Sequence, residues 1–194
     1  YLLFRFLDQD PPTVLLPHRV RDGFGLTPQL VERARESGAT LIVTVDNGIT
    51  AGPAVRHAAA CGMDTVVTDH HAPTGEYPQE AVAVLDPAVP GETYPFSALA
   101  GTGVAWKLAD AILLSLVHDG EITSEQHEHF IKWNLDLVAL ATIADVVELT
   151  GENRVLVAYG LRVLQQTRKP GLQALLARAQ VSQVNAEAVA FRLG

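Results

Sequence analysis

Val66-Val67-Thr68-Asp69-His70-His71 is a β-branched run that ends in a carboxylate and two imidazoles. Such a run reads as a buried strand, with the polar triplet emerging at its carboxyl end. The same device appears earlier, where Leu41-Ile42-Val43-Thr44-Val45 runs straight into Asp46-Asn47-Gly48. Two buried strands, each with an acid or histidine at its tip, are expected to converge on one edge of a parallel sheet. In open α/β sheets that edge is where ligands bind, and these residue types point to a metal.

Working outward, Thr27 is a good N-cap, with Pro28 at the first helical position and Leu30, Val31 and Ala34 at helical spacing before a stop at Gly38. A helix from about Thr50 to Cys61 joins strand Leu41–Val45 to strand Thr65–Thr68, and a strand Ala81–Leu85 ends at Asp86-Pro87. This alternation predicts parallel strands with right-handed crossovers. Upstream, Tyr1–Leu7 reads as the tail of a buried helix, broken at Asp8-Gln9-Asp10-Pro11-Pro12. Thr13–Leu16 is a candidate strand and Pro17–Gly25 a loop. After a proline- and glycine-rich loop from Ala88 to Phe96, helices are expected at Gly103–Val117, Ser124–Ala144, Arg154–Gln166 and Gly171–Ala179. The fold class is therefore α/β, a parallel β-sheet flanked by helices, followed by a mainly helical segment. The chain opens without a Met and Ala188–Gly194 stops in mid-pattern, so a piece of a longer protein is expected.

Hydrophobic content of 48% with 19% charged residues describes an ordinary globular protein. No apolar run approaches the roughly 18 residues of a membrane span, and Tyr1–Leu7 lacks the features of a secretory leader. A single cysteine, Cys61, rules out an internal disulfide and makes a cytoplasmic location the default. The formal net charge of −8 argues against a purely electrostatic nucleic-acid binder. It leaves a nuclease open, because carboxylates clustered for divalent cations inflate the negative count.

Asp46 before Asn47-Gly48 is either a turn residue, since Asp-Asn-Gly favours left-handed backbone, or a ligand. His70 and His71 are neighbours, so in extended chain they point to opposite sides and take different roles. Asp69 is placed to orient a histidine or cap the following turn. Asp145 lies in Leu140-Ala141-Thr142-Ile143-Ala144-Asp145-Val146-Val147, apolar on every helical face. A lone buried carboxylate there would cost several kcal/mol, which a cation would remove. Asp136, nine residues earlier, is out of helical phase and is expected to be solvated or capping. Glu148 is close enough to support Asp145. Cys61 is most simply a buried apolar residue. His18, Arg19 and Arg21 either grip phosphate or form a solvated loop. Gly101-Thr102-Gly103 reads as a turn before a helix whose free N–H groups can take a phosphate. Oxygen-rich ligands with one imidazole suit Mn²⁺ or Mg²⁺.

These residues resemble a known family. Thr68-Asp69-His70-His71 is similar to the name-giving motif of the DHH phosphoesterases, and Val45-Asp46-Asn47-Gly48 to their preceding aspartate motif. Four further stretches resemble the RecJ-type branch, single-strand-specific DNA exonucleases. They are Pro17-His18-Arg19 with Gly23-Phe24-Gly25-Leu26; Asp86-Pro87 followed by Tyr94-Pro95-Phe96; Leu99-Ala100-Gly101-Thr102-Gly103-Val104-Ala105; and Thr142–Leu149 closing on Glu152-Asn153-Arg154.

The resemblance implies two Mn²⁺ or Mg²⁺ ions bridged by Asp46, with His70 and Asp145 completing one ion. It places His71 near the scissile phosphate and gives Asp69 a supporting role. It implies 5′→3′ removal of 5′-mononucleotides from single-stranded DNA in repair and recombination. A single-strand-binding protein and a recombination helicase are the implied protein partners, with no membrane. It further implies that residues 1–150 are a DHH catalytic domain lacking its first aspartate motif. Residues 151–194 would be a helical connector toward a second, DHHA1-type domain, and the 194 residues alone would be inactive. Rival readings are a DHH oligoribonuclease, cyclic-dinucleotide phosphodiesterase or pyrophosphatase, sharing Asp46, His70, His71 and Asp145, and a non-catalytic replication scaffold on the same fold.

Overall fold

Thr27 caps a helix as its residue type requires, its Oγ1 accepting the Leu30 N–H at 3.3 Å with Pro28 in the first turn. The computed structural model describes residues 1–193. In chain order the elements are α1 (Leu2–Phe6), α2 (Pro28–Glu36), β1 (Leu41–Val45), α3 (Gly52–Ala60), β2 (Asp64–Thr68), β3 (Ala83–Leu85), α4 (Gly101–His118), α5 (Ser124–Trp133), α6 (Leu135–Ala144), α7 (Gly151–Gln165), α8 (Pro170–Arg178) and α9 (Ala186–Ala188). A π-helical turn, Val189–Leu193, follows; Gly194 lies outside the described residues. The chain divides into two compact units between Ser97 and Ala98.

The first unit is the α/β part. Its sheet has the order β1-β2-β3, all parallel, with Leu41 opposite Asp64, Val45 opposite Thr68, and Thr68 opposite Leu85. That register aligns the three carboxyl ends. The core lies on one face, where Val31 and Ala34 of α2 meet Ala54 and Ala58 of α3, with Met63 and Ile42 against them. The other face of β1 is open: Leu41, Val43 and Val45 are 53%, 48% and 51% exposed. The expectation that β1 is buried on both faces therefore fails, because β1 is an edge strand covered only on the Ile42 side. Thr13–Leu16 forms no strand. Prolines at 11, 12 and 17 flank it, and only Leu15 reaches the core. α1 buries none of its residues, contrary to expectation, being too short to present a full apolar face.

The second unit is helical. The single helix expected over Ser124–Ala144 is broken at Asn134, whose side-chain amide donates to the Phe130 carbonyl at 2.8 Å and ends α5. Thr123 and Gln126 form a reciprocal capping box at the start of α5. α6 and α7 pack so closely that a Cβ on Gly160 would collide with the Leu135 carbonyl and the Ala139 methyl. Ala139, Ile143, Val157, Leu164, Leu172 and Val189 form the core there.

Two acids exchange the environments expected of them. Asp136 is buried, not solvated. Its carboxylate takes Lys169 Nζ at 2.7 and 2.9 Å and the Thr167 hydroxyl at 2.7 Å. Asp145 is exposed, because α6 ends at Ala144 and Asp145 is its C-cap, followed by Val146 at φ +58°. The burial cost expected for Asp145 does not arise. No helix among the described residues is long and apolar enough to cross a membrane.

Candidate metal centre

The ladder continues past the strands and locks their tips. Asp46 N–H donates to Thr68 O at 3.0 Å, and Asp69 N–H donates to Leu85 O at 3.0 Å. Thr44 and Thr68 tie β1 to β2: Thr68 Oγ1 donates to Thr44 O at 2.6 Å, and Thr44 Oγ1 accepts from Thr68 N–H at 3.2 Å. Beyond Val45 the backbone turns sharply. Asp46 has φ +64° and Gly48 φ +117°, and a Cβ on Gly48 would lie 2.7 Å from Thr44 Oγ1. Asp46 is thus a turn residue and an edge residue at once, in a left-handed conformation that non-glycine residues adopt at some cost.

Asp69 is buried, and its carboxylate organises the triplet. Oδ2 accepts the Ile49 N–H at 2.9 Å; Oδ1 accepts the His70 N–H at 2.8 Å and His71 Nδ1–H at 2.7 Å. Burial pushes the Asp69 carboxyl up, but the Ile49 N–H, the His71 ring and the His70 N–H together outweigh it and hold it below its ordinary value of 3.8. With Nδ1 committed to Asp69, His71 has Nε2 free to accept.

Because Asp69 gathers the next two residues, the chain leaves extended geometry at once. His70 and His71 therefore do not point to opposite sides; their ring centroids are 4.4 Å apart. His70 Nε2 lies 3.1 Å from Asp46 Oδ1. Asp46, His70 and His71 offer ligand atoms all within 4.8 Å of one another.

Asp69→Asn removes a charge that three N–H donors and a ring stabilise. In metal-free protein at pH 7 it is expected to cost about 1.5–3 kcal/mol. A carboxylate whose folded value is lowered stabilises the fold above its unfolded value and loses that contribution as pH falls through the folded one. The gap between variant and parent should therefore close below pH 3.8. Urea unfolding at a series of pH values measures it, and a gap independent of pH refutes it.

A third strand tip was legible in the same pattern and passed over. β3 runs into Asp86, which is buried; Oδ1 accepts the Ala88 N–H at 2.8 Å and Oδ2 has no hydrogen-bond partner among the described residues. Burial, with the charge of Asp69 added, pushes its carboxyl above the ordinary value. The donors at this edge are oxygen and nitrogen, with two buried carboxylates behind them. That set fits a hard divalent cation such as Mn²⁺ or Mg²⁺.

The other expected site residues fall as follows. His18 Nδ1 accepts from the Val20 and Arg21 N–H groups, and the Arg19 guanidinium stacks 5.1 Å from the Phe24 ring, all in an exposed loop. The loop's end reaches the candidate edge, since a Cβ on Gly25 would contact Asn47 at 3.5 Å. Gly101 and Gly103 are not in a turn before a helix; they are buried in the first turn of α4, whose N-cap is Ala100. They and Asp145 belong to the second unit.

The model of the DHH family, N-terminal domain, matches residues 1–142. The chain belongs to the DHH family. Asp69-His70-His71, which resembles the triplet that gives the family its name, lies within the matched residues and is built on a carboxylate that folds two histidines to one side. Among DHH relatives, the single-stranded-DNA-specific exonuclease RecJ of Bacillus subtilis is 41% identical over 180 residues, 92% of this chain and 21% of that protein. RecJ of Escherichia coli is 40% identical over 185 residues, 93% of this chain and 32% of that protein. A crystal structure of exonuclease RecJ bound to manganese superposes with a TM-score of 0.75 at 32% identity, covering 92% of this chain and 42% of the other. RecJ of Thermus thermophilus in complex with Mn²⁺ gives 0.65 at 32% identity, covering 84% and 23%. The chain thus spans about a fifth to a third of the curated relatives it matches.

Proposed function

We propose that this chain is the DHH portion of a metal-dependent 5′→3′ exonuclease that releases 5′-mononucleotides from single-stranded DNA in repair and recombination. Residues 1–150 supply catalytic groups and 151–194 lead toward a further domain. The observation that carries the reading is the convergence of Asp46, His70 and His71 at the carboxyl edge of the sheet. Relatives named as single-stranded-DNA-specific exonucleases and manganese-bound structures support the substrate and the ion. A cytoplasmic location is part of the same proposal.

Asp46 and His70 would hold Mn²⁺ or Mg²⁺, two ions in the complete enzyme. The ligand role of Asp145 rests on the motif Thr142–Glu148, not on geometry. When bound, such ions lower the pKa of water and neutralise phosphate charge. Asp69 positions His71, keeping the Nε2 lone pair outward, where it accepts a proton or a hydrogen bond beside the phosphate. No side chain is needed as a covalent nucleophile.

The deciding experiment incubates the full-length protein, with Mn²⁺, against a 5′-phosphorylated single strand and against dinucleotides. Stepwise mononucleotide release from the 5′ end of the strand supports the reading; preference for dinucleotides transfers it to the oligoribonuclease alternative. Residues 1–194 alone should bind Mn²⁺ weakly and turn over negligibly, and robust turnover by them would show that nothing further is needed.

With a net charge of −8, attraction for phosphate must be local. Replacing Arg19 and Arg21 together with alanine in the full-length protein should weaken single-strand binding. It should also reduce the slope of log K against log salt by roughly 1–1.5, for two fewer phosphate contacts. Preference over duplex should persist. Digestion of blunt duplex by the double variant would make the loop the selectivity gate and refute this division of labour.

A further inference from the structure

Away from the strand tips, a second cluster of ligating side chains lies between α2 and α3. Glu32 Oε1 is 2.6 Å from His57 Nε2, and Cys61 Sγ is 3.9 Å from the same nitrogen. One ligand atom from each of the three lies within 4.8 Å of the other two. The arrangement is built, not incidental. His57 and Cys61 are four residues apart at the end of α3, so both project from one face. Glu32 follows Val31, which is fully buried in the core that also holds Ala58. Arg35 takes the other oxygen of the carboxylate, Nε at 2.9 Å and Nη2 at 2.7 Å to Oε2, leaving Oε1 turned toward His57. Cys61 was expected to be a buried apolar residue; it is only half-buried.

We propose that Glu32, His57 and Cys61 form a Zn²⁺ site, separate from the Asp46 edge, with a fourth position open to water or an exogenous ligand. The donor chemistry selects the ion. A thiolate, an imidazole and a carboxylate make a three-ligand zinc set, whereas a thiolate is a poor ligand for Mg²⁺ or Mn²⁺. Neither Asp46, His70 nor His71 offers sulfur, so the two clusters sort different ions. The spacing also fits. Ligand atoms on a tetrahedral zinc stand roughly 3.3–3.7 Å apart, given bond lengths near 2.0–2.3 Å. The His57–Cys61 pair is already close to that, and the Glu32–His57 pair opens by under about 1 Å as the ion replaces their shared proton. Binding releases the Cys61 thiol proton, and the proton on His57 Nε2 moves to Nδ1 or to solvent. Arg35 fixes the carboxylate as outer hydrogen-bond partners of metal ligands do. The consequence is structural: zinc would clamp α2 to α3, the helices that precede and follow β1 in the chain and share one face of the sheet, and so stiffen the unit from which Asp46 projects.

The test uses the metal-free chain with Zn²⁺ and with Co²⁺ as its spectroscopic substitute. The expected result is a thiolate-to-cobalt charge-transfer band that Zn²⁺ abolishes, present in the parent and in Asp46→Asn, absent in Cys61→Ser. Zn²⁺ affinity at this site should fall about 10-fold or more in His57→Gln, and the melting temperature of the parent should rise with Zn²⁺. Absence of the cobalt–thiolate band in the parent, or its persistence in Cys61→Ser, overturns the proposal. Should Cys61→Ser fail to fold, alkylation of Cys61 in the parent decides: Zn²⁺ should slow it strongly, and an unchanged rate refutes the site. None of these readouts depends on nuclease activity.

Discussion

Asp46→Asn in the full-length protein is expected to lower Mn²⁺-dependent mononucleotide release by about 10³-fold, the scale of losing one electrostatic stabiliser in a preorganised site. The substitution isolates charge from conformation. Asp46 holds φ +64°, and asparagine is among the few residues that enter the left-handed region readily. Its backbone N–H still donates to Thr68 O, so the strand tip stays locked. What changes is the oxygen 3.1 Å from His70 Nε2, which loses its negative charge and so its hold on a hard cation. Single-turnover release from a 5′-labelled strand, read beside a thermal melt, separates the outcomes. A folded variant with parental rates would reduce Asp46 to a turn residue and place the metal elsewhere.

The strand tips were legible because a charge ending a β-branched run must have somewhere to go. That logic located Asp46 and the Asp69-His70-His71 triplet, and applied evenly it would have found Asp86, which follows β3 in the same way. It did not tell where the side chains point. The expectation that adjacent histidines diverge assumed extended chain, while Asp69 draws in both following N–H groups and sets the rings side by side.

Helical periodicity failed where a boundary decided the environment. The helix expected to end at Ala144 does end there, but Asp145 was weighed as if the apolar helical surroundings continued past it, whereas as the C-cap it stands exposed. Asn134 could have been read as the break between α5 and α6, since asparagine favours helix ends over interiors. The open face of β1 was invisible for a different reason: a strand with apolar residues on both sides looks the same whether or not both sides are covered. Glu32 shows the limit of local reading. The His57–Cys61 spacing lies within one predicted helix, but the third ligand comes from another element 25 residues away.

Asp136 marks the same limit on the stability side, and its partner carries the largest expected effect on folding. Lys169→Met should destabilise the chain by about 3–5 kcal/mol, because it leaves Asp136 charged and almost without solvent contact. The Thr167 hydroxyl and the Leu137 N–H still bind the carboxylate, but neither neutralises it. Lys169 Nζ also donates to Trp133 O at 2.6 Å, so its loss strips the end of α5 as well. Asp136→Asn should cost less, since an amide keeps the Thr167 contact and carries no charge to strand. In Asp136→Asn with Lys169→Met, the cost should fall short of the sum of the two single costs by at least about 1 kcal/mol, as expected of side chains in direct contact. Urea unfolding of the four proteins measures this coupling. Additive costs would mean that the pair is not coupled, and that Lys169 acts only through the Trp133 carbonyl and the turn leading into α8.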